Sequence, residues 1–231
     1  MSIQIESVSA AALHRSRRSR IELSSSADSS LGVLISTVNS APVDPSLREA
    51  LGRITTNYGG RNVCAQVAEV EHLRKRFPHS IAAVQLVADA TPGAGQFTCF
   101  MHALDLSSPP ELVVRIMERF DFVYPGADFI QSLIGHQLLD AVSEAEDDDI
   151  LIYFAGDLPQ HAGKAHDGIV ESKWGLGHTW QHPVFEVPDS YGDRVLAFRR
   201  VGGDMAARWF VNYATAKVGA DIIAELEALD A

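Results

Sequence analysis

Residues 150–174 constrain the fold most. ILIYF at 150–154 is an unbroken run of β-favouring apolar residues, the pattern of a strand buried on both faces. Beyond it, HAGKA and IVESKW flank His166-Asp167-Gly168. Asp-Gly between strand-like runs signals a tight hairpin, because both residue types accept the left-handed backbone that such a turn requires. RVLAFRRV at 194–201 alternates well enough to add another strand. The second half of the chain is therefore expected to build an antiparallel sheet.

The first half carries helical spacing instead. CAQVAEVEHLRKRF at 64–77 places Val67, Val70 and Leu73 on one helix face with charges between them, and Pro78 closes it. IAAVQLVADA at 81–90 is a second apolar segment, helix or strand, ended by the turn-former TPGAG. FTCFMHALDL at 97–106 opens a short helix, ELVVRIMERF at 111–120 a longer one, and FIQSLIGHQLLDAVSEA at 129–145 reads as an amphipathic helix. Residues 203–230 close the chain with a helical pattern, strongest in DIIAELEAL. TWQHPVFEVP, between the strands, reads as loop. The layout predicts an α+β fold.

Residues 1–50 read as an N-terminal arm, partly disordered, ahead of one domain over residues 51–231. The arm holds the basic cluster Arg15, Arg17, Arg18 and Arg20, the serine-rich SSSADSS, and the apolar LGVLISTV, a strand or docking segment.

With 19 Lys+Arg against 30 Asp+Glu, the net charge of −11 is opposite to that of a nucleic-acid binder, which needs a basic face against phosphate. No apolar run approaches the roughly 20 residues that cross a bilayer. The first residues lack the order of charge and apolar run found in a secretory signal. The expected location is the cytoplasm, and a delivered effector or phage-associated protein fits equally. Two cysteines form no disulfide framework, so each thiol is either a buried core residue or a reactive one.

Cysteine catalysis needs a thiol, an imidazole within reach, and often a polar group that orients the imidazole. Cys99 follows the Gly93/Gly95 turn at the opening of a helix, where backbone N–H groups favour a thiolate and can serve an oxyanion. Cys64 also follows glycines and opens a helix, so position alone leaves two nucleophiles open. His161 begins a strand-like segment and is the candidate base, although spacing alone equally reads Cys99 and His161 as unrelated core and surface residues. His161, His166, His178 and His182 crowd one region, and His178-x3-His182 has ligand-like spacing, but no zinc-hydrolase pattern accompanies them. Asp147-Asp148-Asp149 could attract calcium but reads first as a solvated helix end. No nucleotide-binding loop is present, and neither metal nor cofactor is expected.

FTCFMHAL at 97–104 resembles the opening of the catalytic helix in NlpC-like cysteine peptidases, and QHAGKAHDGIVESKWGLGHTWQHPVFEVPDSYG at 160–192 resembles the matching histidine half. Together they span residues 95–201. The resemblance implies a papain-like helix bundle packed on a small antiparallel sheet, with Cys99 as nucleophile in preference to Cys64 and His161 as base. It implies a peptide or amide substrate. It also implies a third polar residue on the strand after His161: Ser172 by register or Glu171 by chemistry, since alternation lets only one of them face the site. Lys173 and Trp174 would shape the cleft or simply pack. Thr98 departs from the Asn that often precedes the family's nucleophile. Two other readings follow from the same residues: an inactive papain-like scaffold used for binding, and a histidine-bound metal protein.

Overall fold

A computed structural model of the protein describes residues 21–26, 35–38, 44–58, 63–78, 85–88, 97–175 and 177–230. In chain order these form β1 (Ile21–Ser26), β2 (Ile35–Val38), α1 (Pro45–Tyr58), α2 (Val63–Arg76), β3 (Gln85–Ala88) and α3 (Cys99–Ala103). They continue through α4 (Glu111–Arg119), α5 (Ala127–Gly135), β4 (Ala141–Val142), β5 (Glu144–Ala145), β6 (Ile150–Ala155) and β7 (Leu158–His166). β8 (Ile169–Lys173), β9 (Thr179–His182), β10 (Arg194–Phe198), α6 (Gly203–Val218) and α7 (Ala220–Glu227) complete the fold. The architecture is α+β.

The main sheet runs β3-β9-β8-β7-β6-β10-β4, with every neighbouring pair antiparallel. The Asp-Gly hairpin forms as its chemistry dictates. His166 pairs with Ile169, and Asp167 and Gly168 between them both take positive φ, 48° and 82°. β6 is the buried strand that ILIYF foretells: Ile150, Leu151, Ile152 and Tyr153 are all fully enclosed. β1 pairs with β2 and β5 in a smaller sheet.

Helices cover both faces of the main sheet. On one, α3–α7 bring Phe100, Ile116, Phe129, Ile130 and Phe210 against Ile150, Ile152, Phe154 and Ala162. Each such large apolar side chain contributes about 1.5–3 kcal/mol by leaving water. On the other, Leu47, Leu51 and Ile54 of α1 and Val70 of α2 pack with Trp174 and Trp180, beside a cluster around Leu151, Tyr153 and Val195. A short 3-10 turn at Asp189–Tyr191 is pinned here by Arg48, whose guanidinium donates to the Val187 and Gly192 carbonyls. Gly192, at φ 102°, is required: a Cβ would lie 2.2 Å from the Phe154 carbonyl oxygen.

Two sequence expectations, the helix over 129–145 and the loop at TWQH, need correction, and others are narrowed. The helix read over 129–145 ends at Gly135, because Gln137 adopts φ 56° and the chain then runs into β4 and β5. TWQH at 179–182 is the strand β9 instead of loop, held by pairing to β8 and β3. Of IAAVQLVADA, Gln85–Ala88 is strand. β1, β2 and the start of α1 fall within the stretch read as an arm, whereas the basic cluster at 15–20 and the TPGAG turn lie outside the described residues.

Candidate active site at the start of helix α3

Thr98 caps α3. Its Oγ1 accepts from the Met101 amide at 3.2 Å and donates to the Pro125 carbonyl at 3.1 Å, so the hydroxyl is committed to holding the helix start. Cys99 is consequently the first helical residue, partly exposed and free. Its sulfur is faced by the backbone N–H groups of Ala162, Phe100 and Cys99 itself. Burial dominates its acidity and pushes the thiol up to about 11, against the opposing pull of those N–H groups and Lys173.

His161 lies within β7, opposite Tyr153 of β6, and is fully buried. Its ring stacks on Tyr191 with centroids 3.9 Å apart and planes 12° from parallel, and the Tyr153 ring lies at 5.3 Å. Among the described residues neither ring nitrogen has a hydrogen-bond partner, the Cys99 sulfur included. Burial first, then the neighbouring His182 and His102, hold the imidazole well below its ordinary pKa. Strand alternation turns Ala162 toward α3 and His161 toward Tyr153 and Tyr191. The thiol therefore meets β7 at the amide immediately following the histidine.

The two candidates for a third residue occupy opposite faces of β8. Ser172 is fully buried and hydrogen-bonds His182 Nε2 at 2.7 Å. His182 Nδ1 lies 2.8 Å from the Pro183 carbonyl, which can only accept; the proton is therefore on Nδ1, and Ser172 donates to Nε2. Glu171 lies 3.6 Å from His102 Nε2 and accepts from Gln181 at 3.3 Å. Neither side chain hydrogen-bonds His161. Lys173 donates to the Gly177 carbonyl and stands 5.4 Å from the Phe97 ring centroid. Trp174 is fully buried and stacks on Trp180.

Cys64 is the second residue of α2, and its side chain lies outside the described residues. The clustered histidines do not converge: among the described residues, no group of three or more His, Cys, Asp or Glu side chains could hold a metal ion. Asp149 is engaged by Arg199, the Arg200 amide and the Glu146 amide.

Three residues of this region escaped the sequence reading. His102 stands three positions after Cys99, a spacing that puts both on one side of a helix. Burial and Lys164 lower its pKa, with Glu171 and Asp105 opposing. Tyr191 stands in PDSYG at the end of the 160–192 segment, and nothing local in the sequence announces that it stacks on His161. Gln66 accepts from the His178 amide and the Trp180 indole, contacts bridging over a hundred residues. No family model, curated protein or solved structure matches this chain.

Proposed function

We propose that the protein is a thiol-dependent hydrolase or acyltransferase of papain-like architecture, with Cys99 as nucleophile and His161 as base, acting on an amide or ester. One observation carries the reading: the Cys99 sulfur, at the start of a helix, faces the amide next to a buried imidazole whose two nitrogens are both unpartnered. Buried polar atoms without partners are rare in folded proteins and each requires an explanation. A base waiting for its proton donor supplies one.

Both groups are neutral at rest, since burial raises the thiol and lowers the imidazole. The chemistry therefore follows general-base catalysis and does not draw on a preformed ion pair. The Cys99 sulfur acts on Tyr191, the ring on which His161 stacks, and in this reading His161 takes the Cys99 proton as sulfur bonds to the substrate carbonyl carbon. The imidazolium returns that proton to the departing amine or alcohol as its bond to carbon breaks. Water, or another acceptor, then attacks the thioester and gives a proton to His161, and the released sulfur recovers it. In this reading the amides of Phe100 and Ala162, which face the sulfur, also donate to the developing oxyanion.

The test is acylation by p-nitrophenyl acetate followed by peptide mass mapping. The acetyl group is expected on Cys99, and Cys99→Ala and His161→Ala are expected to abolish it while Cys64→Ser leaves it. Acetylation confined to Cys64, or unchanged in Cys99→Ala, overturns the assignment. A second reading, an inactive papain-like scaffold used for binding, draws on the raised thiol pKa and the missing Cys99–His161 hydrogen bond. Absence of any acyl-enzyme in the folded protein favours it.

A further inference from the structure

Lys173 is a charged group drawn into this site beside the neutral thiol and imidazole. It is only 5% exposed, yet it forms no ion pair with a carboxylate among the described residues. Its polar contacts are the Gly177 carbonyl and the face of Phe97, two residues before the nucleophile. The register explains its aim. Gly163 pairs with Ser172, so Ala162 and Lys173 are the next opposed positions along β7 and β8. Both share the face that carries Lys164 and Glu171, which meet Asp105, just beyond α3, and His102 within it. Ala162 is the residue whose amide faces the Cys99 sulfur. A buried ammonium without an anion is costly, and an anion forming beside it is favoured correspondingly.

We propose that Lys173 is the cation that stabilises the Cys99 thiolate as it forms. The inference rests on the reading of Cys99 as nucleophile. Lys173 does not touch the acyl carbon in this scheme; it lowers the cost of charging the sulfur while His161 removes the proton. The other titratable groups around the thiol are His102 on α3, His161 and Lys164 on β7, Glu171 on β8, and Tyr191. His102 and His161 are held neutral by burial, and Lys164 is engaged with Asp105. Among the described residues, Lys173 is thus the cation left without a carboxylate on this face.

The experiment is the pH profile of iodoacetamide alkylation in the full chain carrying Cys64→Ser, which isolates Cys99. Lys173→Met is expected to raise the apparent thiol pKa by about one unit, lowering the thiolate fraction about tenfold at any fixed pH below it. Lys173→Arg, which keeps the charge, should return most of that shift. An unmoved profile in Lys173→Met overturns the inference. Should that variant fail to fold, reciprocity offers a second readout: Cys99→Ser should lower the Lys173 pKa followed by NMR of its Cε, because coupling acts equally in both directions. An unchanged lysine titration overturns the inference as well. Neither readout uses a substrate. A coupled thiol without acyl transfer would keep this inference and sink the hydrolase reading, and turnover with an uncoupled thiol would do the reverse.

Discussion

Between α3–α7 and the main sheet, the buried side chains are almost all hydrocarbon: Phe129 and Phe210 meet edge to face at 5.4 Å, over Ile150 and Ile152. Between β7–β9 and α1–α2, the rings of Tyr153, Trp174, Trp180 and Tyr191 share the interior with His161, Ser172, His182 and Gln66. Here His161, the Trp174 indole and the Gln66 amide nitrogen lack hydrogen-bond partners among the described residues. The first face is packed for stability. The second holds polar groups whose burial opposes stability, and a functional site is where a fold tolerates such groups. The thiol stands at the seam, packed on the first face and reaching the strand that carries the second.

The comparison breaks most readily through the apolar face. Phe210→Ala removes a fully buried ring and is expected to cost about 3–5 kcal/mol in denaturant unfolding. A cost under about 1 kcal/mol would mean that this face is not the stabilising one.

Next in size is a pH effect confined to the polar face. Burial, opposed by the Pro183 carbonyl, lowers His182 from 6.5 to about 4. A base whose folded pKa is depressed binds more protons when unfolded. Stability is therefore fully present above about 6.5 and is lost as pH falls toward about 4, by about 3 kcal/mol from this residue. His161, displaced in the same direction, adds to the slope. Urea unfolding between pH 7 and 4 should show the decline, and His182→Gln should flatten it. Equal slopes in the two proteins would remove His182 as the cause.

These two faces were unequally legible in the sequence. The apolar one follows from period: Val113, Ile116 and Met117 of α4 are buried at helical spacing, and β6 is a continuous apolar run. α1 has a readable start as well, because Asp44 caps a helix whose first residue is Pro45, although the Arg and Ser content of residues 1–50 points to an arm. The strands β4 and β5, two residues each, exist only through pairing with β10 and β1 and have no local signature. For the site, Cys99 and His161 were legible as residue types in strand and helix contexts. The sequence could not disclose that Ser172 serves His182, that Glu171 serves His102, or that Tyr191 is the surface on which His161 rests. Each of these partners is fixed by sheet register or by a distant turn.

A smaller effect is expected at the seam. Thr98→Ala removes the cap of α3 and should cost about 1 kcal/mol. Under the proposed function, it should also slow acylation of Cys99 disproportionately, since the cap fixes the helix start that presents the sulfur. Thr98→Ser, which keeps the hydroxyl, should restore both. Acylation that tracks stability alone would assign Thr98 to the fold and not to the site.

The smallest expected stability change is also the sharpest test of the comparison. His161→Phe removes two buried nitrogens that have no partners and replaces the ring with an apolar one of similar shape, still able to lie on Tyr191 at the present 3.9 Å stacking distance. Removing an unsatisfied polar group in exchange for hydrocarbon is close to neutral or favourable. The variant should therefore unfold at the same denaturant concentration as the parent or slightly higher, while acylation by p-nitrophenyl acetate disappears. A loss of 2 kcal/mol or more, on the order of a broken buried hydrogen bond, would show that the imidazole has a partner important for folding. Its place in the core would then be structural, and the polar face would differ from the apolar one in composition only.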